Sequence, residues 1–564
     1  MITVQFKYAG QSSIVQGLDK ARMSLATNTL REAAFFRGTL ARPLLLREAL
    51  GALRDVVVSD FKYHPRDHAA FKEWLEEQDR KFVAGLSMRS EPARKRMEAL
   101  EVDLAALDQR RESRMAPFYR ARKKYFDYVF HHEYELNYLL DPVITVHPDE
   151  ISFEAFSKDE SSYGRLGARY DLFEKIHEFE CGTTNIDFSA RLATELDRMR
   201  TYRRTDFDIS PGGFSVKVGA AETYKEKKIE LPESWLEGFL QVQSTMTMGL
   251  VHVELAPIDL FNVCRFLRMK RAARSPRALR WELTPGKPAK VVFEPWEHAI
   301  TLGPTSVFKG AKAEVIRTWG RDRLRVLSRL LPVTRKVDVF LAGFGRPTIY
   351  VLDLGELSFT LALSGWTDND WTGGAKFDLL ARRLDATPEE LMLVYETLRQ
   401  QKKSTDQALA QRVALDVVKT RSVLSHLCQV GRAMYDLSTR QYRHRDLFFD
   451  PFTLKDAVKA VAPKQTEKTK EAVAAKVMQA AGDVRIIARR AFTAGFKLSG
   501  SAKGGDGQRV RPQLTVGLDG EIVDGTCTCS WFRSHALTKG PCEHLLGLRL
   551  AHIERVEAEK KGGN

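Results

Sequence analysis

The spacing of apolar positions changes several times along the chain, and each change marks a different kind of element. Residues 1–8 alternate apolar and polar side chains with the period of a strand. From 93 to 124, Met97, Leu100, Leu104 and Leu107 recur at three- and four-residue steps among Arg, Glu and Lys. This predicts a long amphipathic helix that Pro117 kinks or ends. Between 141 and 383 the period shortens. Val143-Ile144-Thr145-Val146, Phe214-Ser215-Val216-Lys217-Val218 and the runs at 337–341, 348–352 and 357–363 are β-branched or alternating, bounded by Gly, Pro and Asp, and read as strands. Helical stretches at 259–273 and 322–331 interrupt them, so this part is an α+β body.

A three-helix pattern follows. Pro388, with acidic residues behind it, opens a helix over 388–401, a second short helix is expected over 405–413, and a third over 416–429 is ended by Gly431. Strands at 432–437 and 441–448 complete a winged-helix-like segment. In its third helix Val417, Thr420, Leu424 and Leu427 share one face, which leaves Lys419, Ser422 and His426 outward. With Arg440, Arg443 and Arg445 in or near the wing, these are candidate nucleic-acid contacts. Such a segment serves equally as a protein-docking element. No Arg-to-guanine or Asn-to-adenine pair is presented, so base readout is not expected.

The C-terminal segment carries the sharpest chemistry. Gln513-Leu514-Thr515-Val516-Gly517-Leu518 reads as a strand, Asp519-Gly520 as a hairpin turn and 521–523 as the returning strand. Cys527-Thr528-Cys529 follows, and Gly540-Pro541-Cys542-Glu543-His544 then opens a helix with Leu545, Leu546, Leu548, Leu550 and Ile553 as its apolar positions. Three thiolates and an imidazole in two close pairs meet the tetrahedral preference of zinc. A filled shell leaves no position for water, so one structural Zn2+ is expected on Cys527, Cys529, Cys542 and His544 in a small ββα module. Arg533 and Lys539, between the two pairs, add candidate phosphate contacts, and His535 is expected to be solvated.

This ligand order, with the Trp531-Phe532 pair and the Gly540-Pro541 lead-in, resembles the SWIM zinc finger. Val146-His147-Pro148-Asp149, Phe153-Glu154-Ala155-Phe156-Ser157, Asp159-Glu160-Ser161-Ser162-Tyr163-Gly164 and Leu363-Ser364-Gly365-Trp366-Thr367 resemble large bacterial SWIM-domain proteins that accompany MoxR-type AAA ATPases and von Willebrand factor A-type proteins. That resemblance implies a non-enzymatic component of an ATPase-linked complex, with protein partners of those two kinds.

Length and composition extend the picture. A chain of 564 residues exceeds what one hydrophobic core organises. The expected fold class is α+β multidomain: a strand and helical region at 1–140, a mixed α/β body at 141–383, the winged-helix-like segment at 384–452, a basic linker or helix at 453–480, and the zinc module with its tail at 481–564. Three of the six cysteines belong to the zinc motif, and Cys181, Cys264 and Cys428 read as core thiols rather than a disulfide framework. No apolar run is long enough to span a bilayer and the first residues lack a secretory signal, so a cytoplasmic protein without membrane contact is expected. The formal charge of +15 favours an anionic partner. The expected function is a non-enzymatic zinc protein that binds nucleic acid through its basic C-terminal half with little sequence specificity, or else a protein-interaction adaptor.

The remaining constellations do not announce an enzyme. His131-His132-Glu133 lacks the helical His-Glu-x-x-His spacing, and Gly343-Phe344-Gly345-Arg346-Pro347 lacks the Lys-Ser/Thr ending of a phosphate loop. Ser364-Gly365-Trp366-Thr367-Asp368-Asn369-Asp370-Trp371 reads as an Asp-rich turn capped by packed aromatics, or as a binding loop.

Overall fold

The computed structural model describes residues 34–60, 142–185, 199–201, 204–210, 233–270, 276–366, 369–373, 376–382, 384–448, 451–461, 470–493, 495–504 and 507–562, with 13–16, 20–26, 272 and scattered positions from 96 to 107. The strands expected at 1–8 and 214–218, Pro117 and His131-His132-Glu133 lie outside these residues. Of the helix expected at 93–124, positions 96, 100, 102–104, 106 and 107 are helical. Residues 61–139 form a separate unit; the features below belong to the other. Among the described residues no helix is long and apolar enough to cross a membrane.

An eight-stranded antiparallel sheet is the centre of the larger unit. Its order is Val251–Leu255, Lys336–Leu341, Thr348–Asp353, Leu357–Leu363, Ser162–Arg169, Glu150–Phe156, Val143–Val146, Gly182–Asn185. Leu357–Leu363 and Glu150–Phe156 are buried at every position, because both faces of the sheet are covered. One face packs on the Pro43–Val57 helix, whose Leu53 and Val56 press against Gly164. The opposite face presents Glu150, Glu154 and Arg165 to residues 384–452. Two smaller sheets are built from the same unit: Ser13–Gln16, Lys20–Ala26, Arg204–Ser210, Phe35–Leu40 and Phe173–Glu180 make one, and His298–Thr301, Lys290–Phe293, Leu279–Leu283 and Glu314–Thr318 the other.

Residues 384–452 form the three helices Pro388–Gln401, Asp406–Val413 and Val417–Gln429. A reciprocal cap starts the first: Glu390 N–H donates to Thr387 Oγ1 at 3.3 Å, and Thr387 N–H donates to Glu390 Oε2 at 2.8 Å. The short strand Lys403–Ser404, not anticipated, joins Ala433–Asp436 and Gln441–His444 in a three-stranded sheet. Leu391, Val394, Leu398, Leu409, Val423, Leu424 and Leu427 make the core of this segment.

The face of Val417–Gln429 expected to be outward is covered. The helix Glu233–Met246 and the turn after it lie against it, with Thr247 Oγ1 3.2 Å from Ser425 Oγ, and both Ser422 and His426 are buried. Ser422 Oγ accepts the Asp385 N–H at 3.3 Å, and polar contacts of this kind leave no mark on apolar periodicity. Arg443 and Arg445 are also fully buried. Arg445 Nη1 donates to both oxygens of Glu154 at 2.6 and 2.7 Å, and Tyr163 Oη donates to Glu154 Oε1 at 2.6 Å. Arg443 is paired with Asp149 at 2.7 Å and Asp436 at 3.1 Å, while Arg165 binds Glu150 and approaches Asp436 at 3.5 Å. Burial opposes ionisation of Asp436, but Arg165 and Arg443 outweigh it and hold its carboxyl well below the usual range. Ser422, His426, Arg443 and Arg445 are therefore internal packing and pairing groups, not nucleic-acid contacts. Lys419 is paired with Glu390 at 2.7 Å, and Arg440 is exposed at the turn between the last two strands.

Burial lowers the His426 pKa to about 4 from an ordinary value of 6.5. As pH falls below 6.5 the unfolded chain takes up the proton first, so the stability present at pH 7 is lost progressively on the way to the folded value. At pH 5 the loss from this group is about 2 kcal/mol. His426→Leu should flatten the change in urea midpoint between pH 7 and pH 5; an unaltered change would remove His426 as its source.

Within the stretch at 453–480, expected as a basic linker or helix, the described residues are largely helical. Leu454–Val461 and Lys470–Ala480 are helices, and Ala472 and Ala475 of the second are buried.

Candidate metal centre

The C-terminal module is an antiparallel sheet of Val484–Phe492, Gly495–Lys503, Gln513–Gly517 and Ile522–Thr526, with Arg509–Val510 added beside Gly495–Lys503. The expected ββα unit is thus part of a larger sheet. Its inner face, Leu498, Ala502, Leu514, Val516 and Ile522, is buried with Leu545 and Leu548 of the helix Glu543–Gly562. Gly500 is required there, since a Cβ would lie 2.6 Å from Leu548 Cδ1.

That packing delivers both ligand pairs to one end of the module. Cys527 leaves the strand Ile522–Thr526, and Cys529 caps the short helix Ser530–His535, with its Sγ accepting Phe532 N–H at 3.3 Å. Gly540, at φ 99°, turns the chain back so that Cys542 precedes Glu543–Gly562 and His544 falls in its first turn. Arg533 donates twice to Thr528 O, at 3.0 and 2.9 Å, and braces the loop between the first two cysteines. The ligand atoms of Cys527, Cys529, Cys542 and His544 all lie within 4.8 Å of one another, and all four residues are buried. His535 stays outside this cluster, its ring against Trp531 and its Nδ1 3.1 Å from Trp531 O.

Residues 515–552 match the SWIM zinc finger family. This segment is a SWIM zinc finger. No curated protein matches the chain. Among solved structures the chain is similar to the crystal structure of Proliferating Cellular Nuclear Antigen from Entamoeba histolytica, at 10% identity and a TM-score of 0.28, over 40% of this chain and 89% of that one. That likeness is too weak to bear on fold or function.

The donor set of the SWIM finger fits one zinc ion. Zinc bonds of about 2.0–2.3 Å imply ligand separations of about 3.3–3.8 Å in a tetrahedron, so small side-chain adjustments close the observed cluster. Buried His544 sits beside the Cys527 thiol, the placement that a shared metal needs. Hydrogen bonding from Cys542 pulls the Cys527 thiol down to about 4, and the same bond, with burial, pushes Cys542 far up. Protons alone leave these crowded thiols unevenly ionised, whereas a divalent cation supports three thiolates together. When bound, the ion supplies cross-linking between the two halves of the finger.

The SWIM module is fastened to the body by Asn369 Nδ2 donating to Thr538 O at 2.6 Å, and by Arg549 donating to Leu379 O and Ala381 O at 2.9 and 3.0 Å. Its opposite sheet face is open. Along Gly495–Lys503 the positions Lys497, Ser499, Ser501 and Lys503 alternate with the buried ones, and their cross-strand partners include Arg490, Arg485 and Arg509. Across the other edge follow Thr515, Gln513, Asp524 and Thr526. Five cations and one carboxylate share this surface. Arg485, Arg490, Lys497, Lys503 and Arg509 have no ion pair among the described residues. The sequence reading missed this set, although the two-residue alternation of Lys497, Ser499, Ser501 and Lys503 was a usable signal.

Proposed function

We propose that the protein is a non-enzymatic, zinc-stabilised nucleic-acid-binding protein that grips phosphates on the open face of its SWIM sheet. The observation that carries this reading is the set Arg485, Arg490, Lys497, Lys503 and Arg509, without an ion pair among the described residues and sharing one hydroxyl-lined sheet face. Cations committed to neighbouring carboxylates would have to break those pairs before meeting phosphate; these need not. Sheet residues of this kind offer no fixed reader for base edges, so affinity comes from backbone contacts and sequence discrimination is weak. Lys539 and exposed Arg440 can add to the field, while Arg533 serves the cysteine loop first.

Binding that engages five phosphates has a log–log salt slope of about −3.5 to −4.5, depending on whether the nucleic acid is single- or double-stranded. A titration of zinc-loaded protein between about 50 and 200 mM salt should therefore lose roughly 100-fold or more in affinity. Replacing Arg490 and Lys497 with Glu should abolish most of it. Negligible affinity at low salt would remove the reading.

An adaptor in a MoxR-type ATPase complex is the second reading. In its favour, residues 384–452 form three helices and a three-stranded sheet that bury Ser422, His426, Arg443 and Arg445, which suits a docking role better than contact with DNA. A groove of about 220 Å³ between this segment and the SWIM sheet, with exposed Val418 and Leu518 at its lining, provides apolar surface for a protein partner. A partner retained after nuclease treatment would favour it over nucleic-acid binding.

A further inference from the structure

The two aromatic stretches flagged in the sequence meet in space. Trp366 N–H donates to Gly345 O at 2.9 Å. Gly365, at φ 92°, lies so close that a Cβ there would overlap the Gly345 carbonyl. The loops joined this way group three rings: Trp319 lies 4.8 Å from Trp366 and 5.2 Å from Phe344 between centroids. Aromatic clusters are ordinarily core features, because each ring carries a large apolar surface. Here Phe344 is 46% exposed and both indoles are partly exposed.

This cluster borders the basic sheet. Arg346 Nη2 is 3.5 Å from Val523 O, on the edge strand Ile522–Thr526, and Gly345 packs against Thr538 of the finger. Moving inward from Asp524 on that edge, the open face presents Thr515, then Lys497, then Arg490. At about 4.8 Å per strand, Lys497 lies about 10 Å and Arg490 about 14 Å from the edge. At the tip of the same hairpin Phe492 is again exposed.

We propose that this surface selects single-stranded nucleic acid, with unstacked bases resting on Phe344 and the Trp319–Trp366 pair and the backbone crossing to Lys497 and Arg490. The inference rests on the phosphate-binding reading above and adds the ligand's strandedness. A duplex keeps its base faces covered by stacking, so exposed rings gain nothing from it; a single strand has free π-faces and binds sheets that pair aromatic platforms with a basic track.

The test is fluorescence anisotropy of the zinc-loaded full-length chain with oligo-dT, oligo-rU and a duplex, each of about 16 nucleotides or base pairs. The single strands should bind more tightly than the duplex, and the dT and rU arms report whether the sugar matters. Phe344→Ala and Phe344→Leu should each weaken single-strand binding about 10-fold, while Phe344→Trp retains it and duplex binding is unchanged in all three. Phe344 is half exposed, and the Leu and Trp variants keep its apolar volume, so a folding defect does not mimic this pattern. Equal affinity for duplex and single strand, or an unaffected Phe344→Leu, overturns the inference and leaves the phosphate reading standing. Absence of binding to all three probes overturns both.

Discussion

Cys542→Ser, or removal of zinc with a chelator, is expected to unfold the C-terminal module from residue 484 onward. Cys542 is almost fully buried beside Leu545, at the point where strand and helix halves of the finger converge. Without the ion its neighbours Cys527, Cys529 and His544 become a crowded, unevenly charged cluster. Structural zinc supplies about 10–16 kcal/mol of binding energy in isolated fingers, comparable with the whole stability of an ordinary domain of about 5–15 kcal/mol. Elemental analysis should give one zinc per chain for the native protein and less for the variant, and limited proteolysis should then open sites between 484 and 562. A variant that resists protease as well as the parent would show that the hydrophobic face Leu498, Leu514, Val516, Leu545 and Leu548 suffices by itself.

The second large effect is expected deep in the body. Arg445→Met leaves Glu154 without its cation in a site where both side chains are fully buried, and Tyr163 supplies the remaining hydrogen bond. Breaking a buried pair from one side costs about 3–5 kcal/mol, because the desolvated charge that remains has no compensation. Converting Glu154 to Gln in the same background should recover a large part of that loss, since a neutral amide is far less costly to bury. Chemical denaturation of the single and double variants measures the coupling directly. Equal losses for the two would mean that the arginine matters for its packing over Phe239, 5.3 Å away, and not for its charge.

The parts of this structure that could be read from the sequence are those governed by local rules. The helix Pro388–Gln401 begins with Thr387, Pro388 and Glu390, a cap whose hydrogen bonds are made within four residues. The zinc ligands were equally legible, because two close Cys and Cys/His pairs carry their chemistry in their spacing. Strands such as Leu357–Leu363 announced themselves by β-branched and apolar content. What could not be read was which polar faces meet other elements. Ser422 and His426 have the same spacing whether they face solvent or are buried, as Ser422 is with its Oγ accepting the Asp385 N–H. Arg443 and Arg445 look like surface cations until Asp149, Glu154 and Asp436, hundreds of residues away or across a turn, fold against them. Likewise, Phe344 and Trp366 lie in separate loops, and nothing local to either indicates that Trp319 lies between them.

Arg549 and Asn369 give the finger's attachment a mechanical meaning. Load on the finger would pass through these bonds into the segments at 369 and 379–381, so the finger moves with the body and is not a swinging appendage.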